Sequence, residues 1–181
     1  MRGQKTTRQS TRGSTRRPAE KDAIALLKED HETVRDLLGE LEETTSKATS
    51  RRQTLLKSIE QELKIHTKIE EEIFYPAFRD ASSKEDDKKL YYEALEEHHV
   101  VDMVLPEIKK IDAGSDEFAA KAKVLKDLVE HHAEEEETEM FPRARKLMDR
   151  EELLQLGQQL ALAKESMTGS ILTKLTEMVR S

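Results

Sequence analysis

The chain has 181 residues, of which 38% are charged, 35% hydrophobic and 4% aromatic, and its formal net charge is −7. This composition disfavours a thick β-sandwich core and favours amphipathic helices that each bury a narrow stripe. The chain lacks cysteine, which excludes disulfides and thiolate ligands, so any metal site must use histidine and carboxylate. There is no signal-peptide segment, and no apolar run approaches the roughly 18 residues of a membrane span, so we expect a cytoplasmic protein.

The first 19 residues are basic and polar. They contain six Lys or Arg, no acidic residue, and no large apolar residue except Met1. Such a segment cannot bury enough apolar surface to fold, so we predict a disordered tail over residues 1–19. A basic arm of this kind could contact nucleic acid or another polyanion, although it carries no aromatic residue or recognition motif.

Helical periodicity dominates from about residue 20 onward. The pattern predicts four long helices over about residues 20–45, 51–79, 86–112 and 116–147, joined by short polar connectors. We therefore predict an all-α fold, an up-down-up-down four-helix bundle over residues 20–148. Residues 149–181 are expected to add an amphipathic helix and a short last helix that pack on the bundle or extend from it. The predicted buried positions include Ile24, Leu27, Val34, Leu38 and Leu41 in the first helix, and Leu56, Ile59, Leu63, Ile73 and Ala77 in the second.

Each predicted helix carries polar residues where its apolar pattern should continue. These residues are His31, His66, Glu70, His98, His132 and Glu136. Burying imidazoles and carboxylates without partners would cost several kcal/mol each. Either they satisfy one another in a metal-free network, or they bind something together.

An internal repeat indicates which histidines face inward. The segment EDHETVRDLLGEL (29–41) aligns with EEHHVVDMVLPEI (96–108), and LKIHTKIEEEIFYP (63–76) aligns with VEHHAEEEETEMFP (129–142). The alignment pairs His31 with His98 and His66 with His132. It therefore selects His98 over its neighbour His99, and His132 over its neighbour His131. The other residues of the EEEE run (134–137) around Glu136 are expected to face solvent.

The spacing of these residues suits a pair of metal ions. A histidine and a glutamate four residues apart lie on one helical face, so both can reach one metal or a closely spaced pair. Two such helices deliver two carboxylates suited to bridging, and imidazole with carboxylate suits iron, manganese or zinc. A ferritin-like site needs Glu-x-x-His on two helices, and only Glu96 and His99 fit that pattern. A mononuclear zinc site would leave three polar residues unexplained.

The motifs EDHETVRDLL, HTKIEEEIFYP, EEHHVVDMVL and HHAEEEETEMFP resemble the hemerythrin-like HHE cation-binding family over about residues 22–147. The resemblance implies a four-helix bundle around a non-haem di-iron centre of the Fe–O–Fe type, with manganese or zinc as alternatives. It implies Glu70 and Glu136 as bridging ligands. The terminal ligands that it implies are His31, His66, His98 and His132.

The sequence departs from the oxygen-carrying members of that family. They have a fifth histidine from a His-x-x-x-His pair on the third helix, whereas Ala94 and Asp102 lie four residues on either side of His98. The resemblance therefore implies an interaction with a diatomic gas (O2 or NO) or peroxide, iron sensing, or repair of iron centres. The alternatives are a cation-binding or sensing module without turnover and a metal-free structural bundle. No catalytic side chain is predicted. Tyr75, one turn beyond Glu70, is expected either to pack or to donate a hydrogen bond into the site.

Overall fold

The computed structural model describes residues 21–180, and it describes the side chains of residues 21–169. The predicted basic segment 1–19 lies outside the described residues. The helices are α1 (Ala23–Glu43), α2 (Thr49–Ile69), α3 (Tyr75–Ala81), α4 (Glu85–Ile108), α5 (Asp116–Glu135), α6 (Phe141–Leu147) and α7 (Arg150–Arg180). The described residues contain no helix that is both long and apolar enough to cross a membrane.

The predicted all-α bundle is confirmed. Its four long segments are α1, α2 with α3, α4, and α5 with α6, and α1 packs against both α2 and α5 while α4 packs against α5. Side-chain caps begin at least three of the described helices, α1, α5 and α7, and Asp149 caps α7 by accepting from the backbone N–H of Glu152 at 2.9 Å. Asp22 accepts a hydrogen bond from the backbone N–H of Ala25 at 2.8 Å, and Ser115 accepts one from Phe118 at 3.1 Å. The caps and the short connectors fix where these helices start.

The buried apolar side chains form two clusters at the two ends of the bundle. The first cluster contains Val34, Leu38, Ile59, Leu63, Val101, Leu105, Leu125 and Val129, among others. The second contains Ile24, Leu27, Ile69, Phe74, Tyr75, Phe78, Met140 and Phe141, among others. A polar layer separates them in every long segment. The bundle core therefore consists of two apolar clusters with a buried polar layer between them.

One buried arginine joins two connecting loops. Arg52 donates from Nη1 to the carbonyl oxygen of Ala113 at 2.8 Å and from Nε to the hydroxyl of Thr44 at 2.8 Å. These contacts tie the connection between α1 and α2 to the connection between α4 and α5. Because the charged group is paired with these acceptors, its burial is tolerated.

Two of the predicted helices are not continuous α-helices. The predicted helix 51–79 is interrupted by a π-helical turn at Glu70–Phe74, and the predicted helix 116–147 by another at Glu136–Met140. In each turn the carbonyl of the glutamate accepts the N–H of the residue five positions later, Tyr75 or Phe141. Proline follows directly, and its missing N–H leaves a gap in the regular hydrogen-bond pattern that the wider turn accommodates.

The π-helical turn at Glu70 changes which residues are buried beyond it. The inserted residue advances the inward face by one position, so Phe74 and Phe78 are fully buried where Ile73 and Ala77 were predicted. Ile73 and Ala77 are only partly buried and pack at the edge of the second cluster. The predicted buried positions of this helix are correct up to Glu70 and wrong after it, because a strict α-helical period does not allow for the extra residue.

The C-terminal region is one helix where two were predicted. Helix α7 runs without a break from Arg150 to Arg180 and packs against α1 and α2. Gly169 does not end it, since a single glycine costs a helix interior only about 1 kcal/mol. Gly157 allows the close approach to α1, because a Cβ there would lie 2.4 Å from the carbonyl oxygen of Lys21.

Candidate metal centre

The six residues predicted from the sequence meet in the polar layer between the two apolar clusters. Every one of them is at most 6% exposed, whereas His99 and His131 face solvent. Among these six residues, potential ligand atoms within 4.8 Å of one another form two groups that share Glu70. We name them the His31–His66 subsite, which also contains Glu70 and Glu136, and the His98–His132 subsite, which also contains Glu70.

Each buried carboxylate faces one imidazole from each subsite. Oε2 of Glu136 lies 3.2 Å from Nε2 of His31 and 3.7 Å from Nε2 of His132. Oε2 of Glu70 lies 3.2 Å from Nε2 of His66 and 3.4 Å from Nε2 of His98. The two glutamates therefore occupy equivalent central positions, and the four histidines surround them. This geometry suits cation binding, with both carboxylates placed between the two pairs of histidines.

A second layer of carboxylates lies behind the histidines, on their Nδ1 side. Nδ1 of His31 lies 2.9 Å from Glu137, Nδ1 of His98 lies 2.9 Å from Glu71, and Nδ1 of His132 lies 2.7 Å from Glu97. When Nδ1 carries the proton and donates it to the carboxylate, the lone pair of Nε2 faces the centre, as a metal ligand requires.

Sequence reasoning missed these outer carboxylates. The EEEE run was expected to contribute only Glu136 to the interior, but Glu137 bonds both His31 and Arg35. The internal repeat held the signal that could have found them. It aligns Glu71 with Glu137, and it aligns Asp30, whose Oδ2 lies 3.8 Å from Nδ1 of His66, with Glu97. All four outer carboxylates, with Asp30 as the fourth, therefore occupy repeated positions.

Burial and mutual contacts shift the ionisation of the central groups. Burial and the facing Glu136 raise the pKa of Glu70 well above its usual range. Burial also disfavours the charged form of Glu136, but His132 and His31 hold its pKa well below the usual range. Burial lowers the pKa of His66 to about 4. Without a cation, this environment thus favours the protonated form of Glu70, the charged form of Glu136 and the neutral imidazole of His66.

The polar layer is incompletely satisfied without a cation. Among the described residues, seven buried side-chain nitrogen and oxygen atoms have no hydrogen-bond partner, and all seven belong to His31, His66, Glu70 and Glu136. Native proteins rarely leave such atoms unpaired, and each costs about 1–3 kcal/mol. The donor set is imidazole and carboxylate, which fits borderline metals such as iron, manganese and zinc. The residues present therefore fit a metal centre.

Two aromatic rings cover the histidines on one side. Phe141 stacks on His31 with ring centroids 5.8 Å apart, and Tyr75, its counterpart in the repeat, stacks on His98 at 5.6 Å. The Tyr75 hydroxyl lies 3.3 Å from Nε2 of His98, and burial raises its pKa, so it remains a protonated donor. Tyr75 therefore both packs and places a hydroxyl in the site, at the His98–His132 subsite.

A small cavity lies between the histidines and the first apolar cluster. Its volume is about 20 Å³, counted as space for the centre of a water-sized molecule. That exceeds the roughly 10–15 Å³ that one water needs, so a diatomic molecule is about the largest ligand that the cavity holds. The lining residues are His31, Val34, Leu63, His66, Thr67, His98, Val101, Val129, His132 and Ala133.

Fold and site together define a helical-bundle protein with a buried, sulfur-free cation centre. The Hemerythrin HHE cation binding domain model matches residues 22–144, and the chain belongs to that family. The crystal structure of a hemerythrin HHE cation binding domain-containing protein from Mycobacterium kansasii is similar, with 29% identity and a TM-score of 0.74. The match covers 86% of this chain and 93% of that one.

The chain is also similar to a longer protein. It is 28% identical over 139 residues to a DNA nickase of Nostoc sp., a match that covers 77% of this chain and 38% of the nickase. The chain thus spans well under half the length of that curated relative.

Proposed function

We propose that this protein binds two iron ions in the polar layer of the bundle. His31 and His66 would be terminal ligands of one ion, and His98 and His132 of the other, with Glu70 and Glu136 bridging both. The observation that carries this proposal is the set of seven unpaired buried atoms on four of these six residues. A cation would give a partner to the six of these atoms that face the centre, leaving Nδ1 of His66, which faces Asp30, and it would offset the burial of the two carboxylates.

The surrounding residues hold and protect such a centre. The outer carboxylates at Glu71, Glu97 and Glu137 fix the imidazole rings with Nε2 inward. The two apolar clusters exclude water from both ends of the polar layer. Tyr75 supplies one hydrogen-bond donor beside His98.

We infer that the ligand is small: a diatomic gas (O2 or NO) or peroxide. Bound iron would supply redox chemistry and open coordination positions, because six protein ligands leave two ions short of full coordination. The cavity beside the histidines has room for a ligand of about two heavy atoms and is lined mostly by apolar side chains and imidazoles. Iron sensing and repair of iron centres would rest on the same two-iron site, so they belong to the same proposal.

The test is to measure peroxide consumption and nitric oxide binding side by side on the iron-loaded protein. Sustained peroxide consumption would identify an enzyme, whereas ligand binding without turnover would identify a cation-binding sensor. Protein loaded with iron that neither consumes peroxide nor binds nitric oxide would contradict the small-ligand proposal. DNA nicking is not part of the proposal, since the match covers 38% of the nickase.

A further inference from the structure

The four outer carboxylates are not equivalent. Three histidines have Nδ1 within 2.7–2.9 Å of a carboxylate oxygen. The fourth, His66, has Nδ1 3.8 Å from Oδ2 of Asp30, which is beyond hydrogen-bond distance. Nδ1 of His66 is accordingly a buried atom without a partner, unlike Nδ1 of the other three rings. The His31–His66 subsite therefore has one imidazole that no carboxylate orients.

The same carboxylate has a partner on α7, outside the repeated part of the bundle. Lys164 donates to Oδ1 of Asp30 in a close ion pair, with the carboxylate 8% and the lysine 35% exposed. Charge-assisted bonds of this kind are about twice as strong as neutral ones, so the lysine competes with His66 for this carboxylate. Glu137 keeps its bond to His31 while accepting from Arg35, but Asp30 is one methylene shorter than the glutamates at the other three positions and has less reach to serve two partners. The repeat counterpart of Asp30, Glu97, has its second oxygen 3.6 Å from the exposed His131 and keeps its short bond to His132.

We propose that Lys164 is a positioning residue that weakens the His31–His66 subsite by drawing Asp30 away from His66. The inference rests on the proposed binding of two iron ions. Outer partners of ligating histidines are typically worth 10–100-fold in metal affinity. The two subsites should therefore differ by about that factor, and α7 makes one iron more labile than the other.

The difference can be measured by iron release. Wild-type protein is loaded anaerobically with Fe(II) and challenged with ferrozine, and we expect two phases of similar amplitude. Lys164→Met should slow the faster phase by about tenfold or more, because Asp30 becomes free to accept from His66. Lys164→Arg, which keeps the ion pair, should retain the wild-type rates. Lys146→Met on α6 removes the same charge from an exposed position and is the matched control.

Two further measurements separate positioning from a general effect on folding. In an Asp30→Asn background, Lys164→Met should no longer change the faster phase. In the zinc-loaded protein, Lys164→Met should move the His66 Nδ1–H proton resonance downfield, because hydrogen bonding deshields it. Lys164→Gln, which retains a neutral donor, is the second variant if the methionine variant does not fold, and it should slow release to a smaller extent.

The outcomes distinguish this inference from the function on which it rests. If wild-type protein binds no iron, the proposed function fails. If it binds iron but releases it in one phase, or if Lys164→Met leaves the faster phase unchanged or accelerates it, the role of Lys164 is overturned while iron binding stands.

Discussion

Nε2 of His98 lies 3.1 Å from Nε2 of His132, while Nδ1 of each ring lies against a carboxylate, Glu71 and Glu97 respectively. If both Nδ1 atoms donate to these carboxylates, the Nε2 lone pairs face each other at close range. That arrangement is unfavourable unless a proton or a cation lies between them. The outer carboxylates thus hold two imidazoles in a geometry that a metal ion would stabilise.

The metal-free protein should gain stability when a central carboxyl is removed. Neither oxygen of Glu70 has a hydrogen-bond partner in its fully buried position. Glu70→Met replaces it with an apolar side chain of similar length, so we expect the free energy of unfolding of the metal-free protein to rise by about 1–3 kcal/mol. Urea denaturation in the presence of EDTA measures this change. A loss of stability in that variant would mean that Glu70 has an unseen favourable role without metal.

The metal-free protein should also lose stability on acidification because of His66. Its pKa is lowered from 6.5 to about 4 in the fold, so the unfolded chain binds a proton there that the folded protein does not. The stability that neutral His66 contributes to the fold is fully present above pH 6.5 and is lost as the pH falls to about 4. The loss of unfolding free energy over this range is about 3 kcal/mol.

The His66→Leu variant isolates this effect, since leucine does not titrate. The unfolding free energy of each protein is measured in EDTA at pH 7 and at pH 4. Between these two pH values, that of wild type should fall by about 3 kcal/mol more than that of the variant. Equal losses in both proteins would show that His66 is not buried in its neutral form.

Tyr75 should affect the loaded site more than the fold. Tyr75→Phe removes the hydroxyl near His98 but keeps the ring, and its repeat counterpart Phe141 already packs in this way. We expect the unfolding free energy to change by less than about 1 kcal/mol and the iron content to persist. The optical spectrum of the iron-loaded protein and its rate of ligand binding should change. If both match wild type, the hydroxyl has no role at the centre.

The sequence predicted the burial of the six candidate residues more reliably than the course of the helices that carry them. All six candidate residues were predicted to face the bundle interior, because a polar residue on an apolar stripe is conspicuous and the repeat removed the ambiguity of the paired histidines. The π-helical turns were missed, since periodicity assumes 3.6 residues per turn throughout. The contact between Asp30 and Lys164 was missed for a different reason. It joins two residues 134 positions apart in the chain, and no local pattern encodes it.

The packing of α7 on α1 should depend on the lack of a side chain at Gly157. A Cβ there would lie 2.4 Å from the carbonyl oxygen of Lys21 and 2.9 Å from the amide nitrogen of Ala23, and backbone atoms cannot move aside easily. Gly157→Ala should therefore destabilise the protein by about 1–3 kcal/mol.

Gly39 provides the matched control for this substitution. It lies inside α1, and a Cβ added there would meet nothing within 4 Å beyond its chain neighbours and the backbone of its own helix, so Gly39→Ala should stabilise by about 0.5–1 kcal/mol through helix propensity alone. Thermal unfolding of the two variants compares them directly. A neutral or stabilising Gly157→Ala would mean that α7 packs on α1 less closely than described.

Metal content per chain tests the central claim most directly. Wild-type protein prepared anaerobically with Fe(II) should contain about two iron ions per chain, as a site with two bridging carboxylates and four imidazoles requires. His66→Ala and Glu136→Ala should lose most of this metal, whereas His99→Ala, which alters an exposed histidine next to His98, should retain it. Wild-type protein free of metal after both aerobic and anaerobic preparation, or equal loss from His99→Ala, would contradict the account.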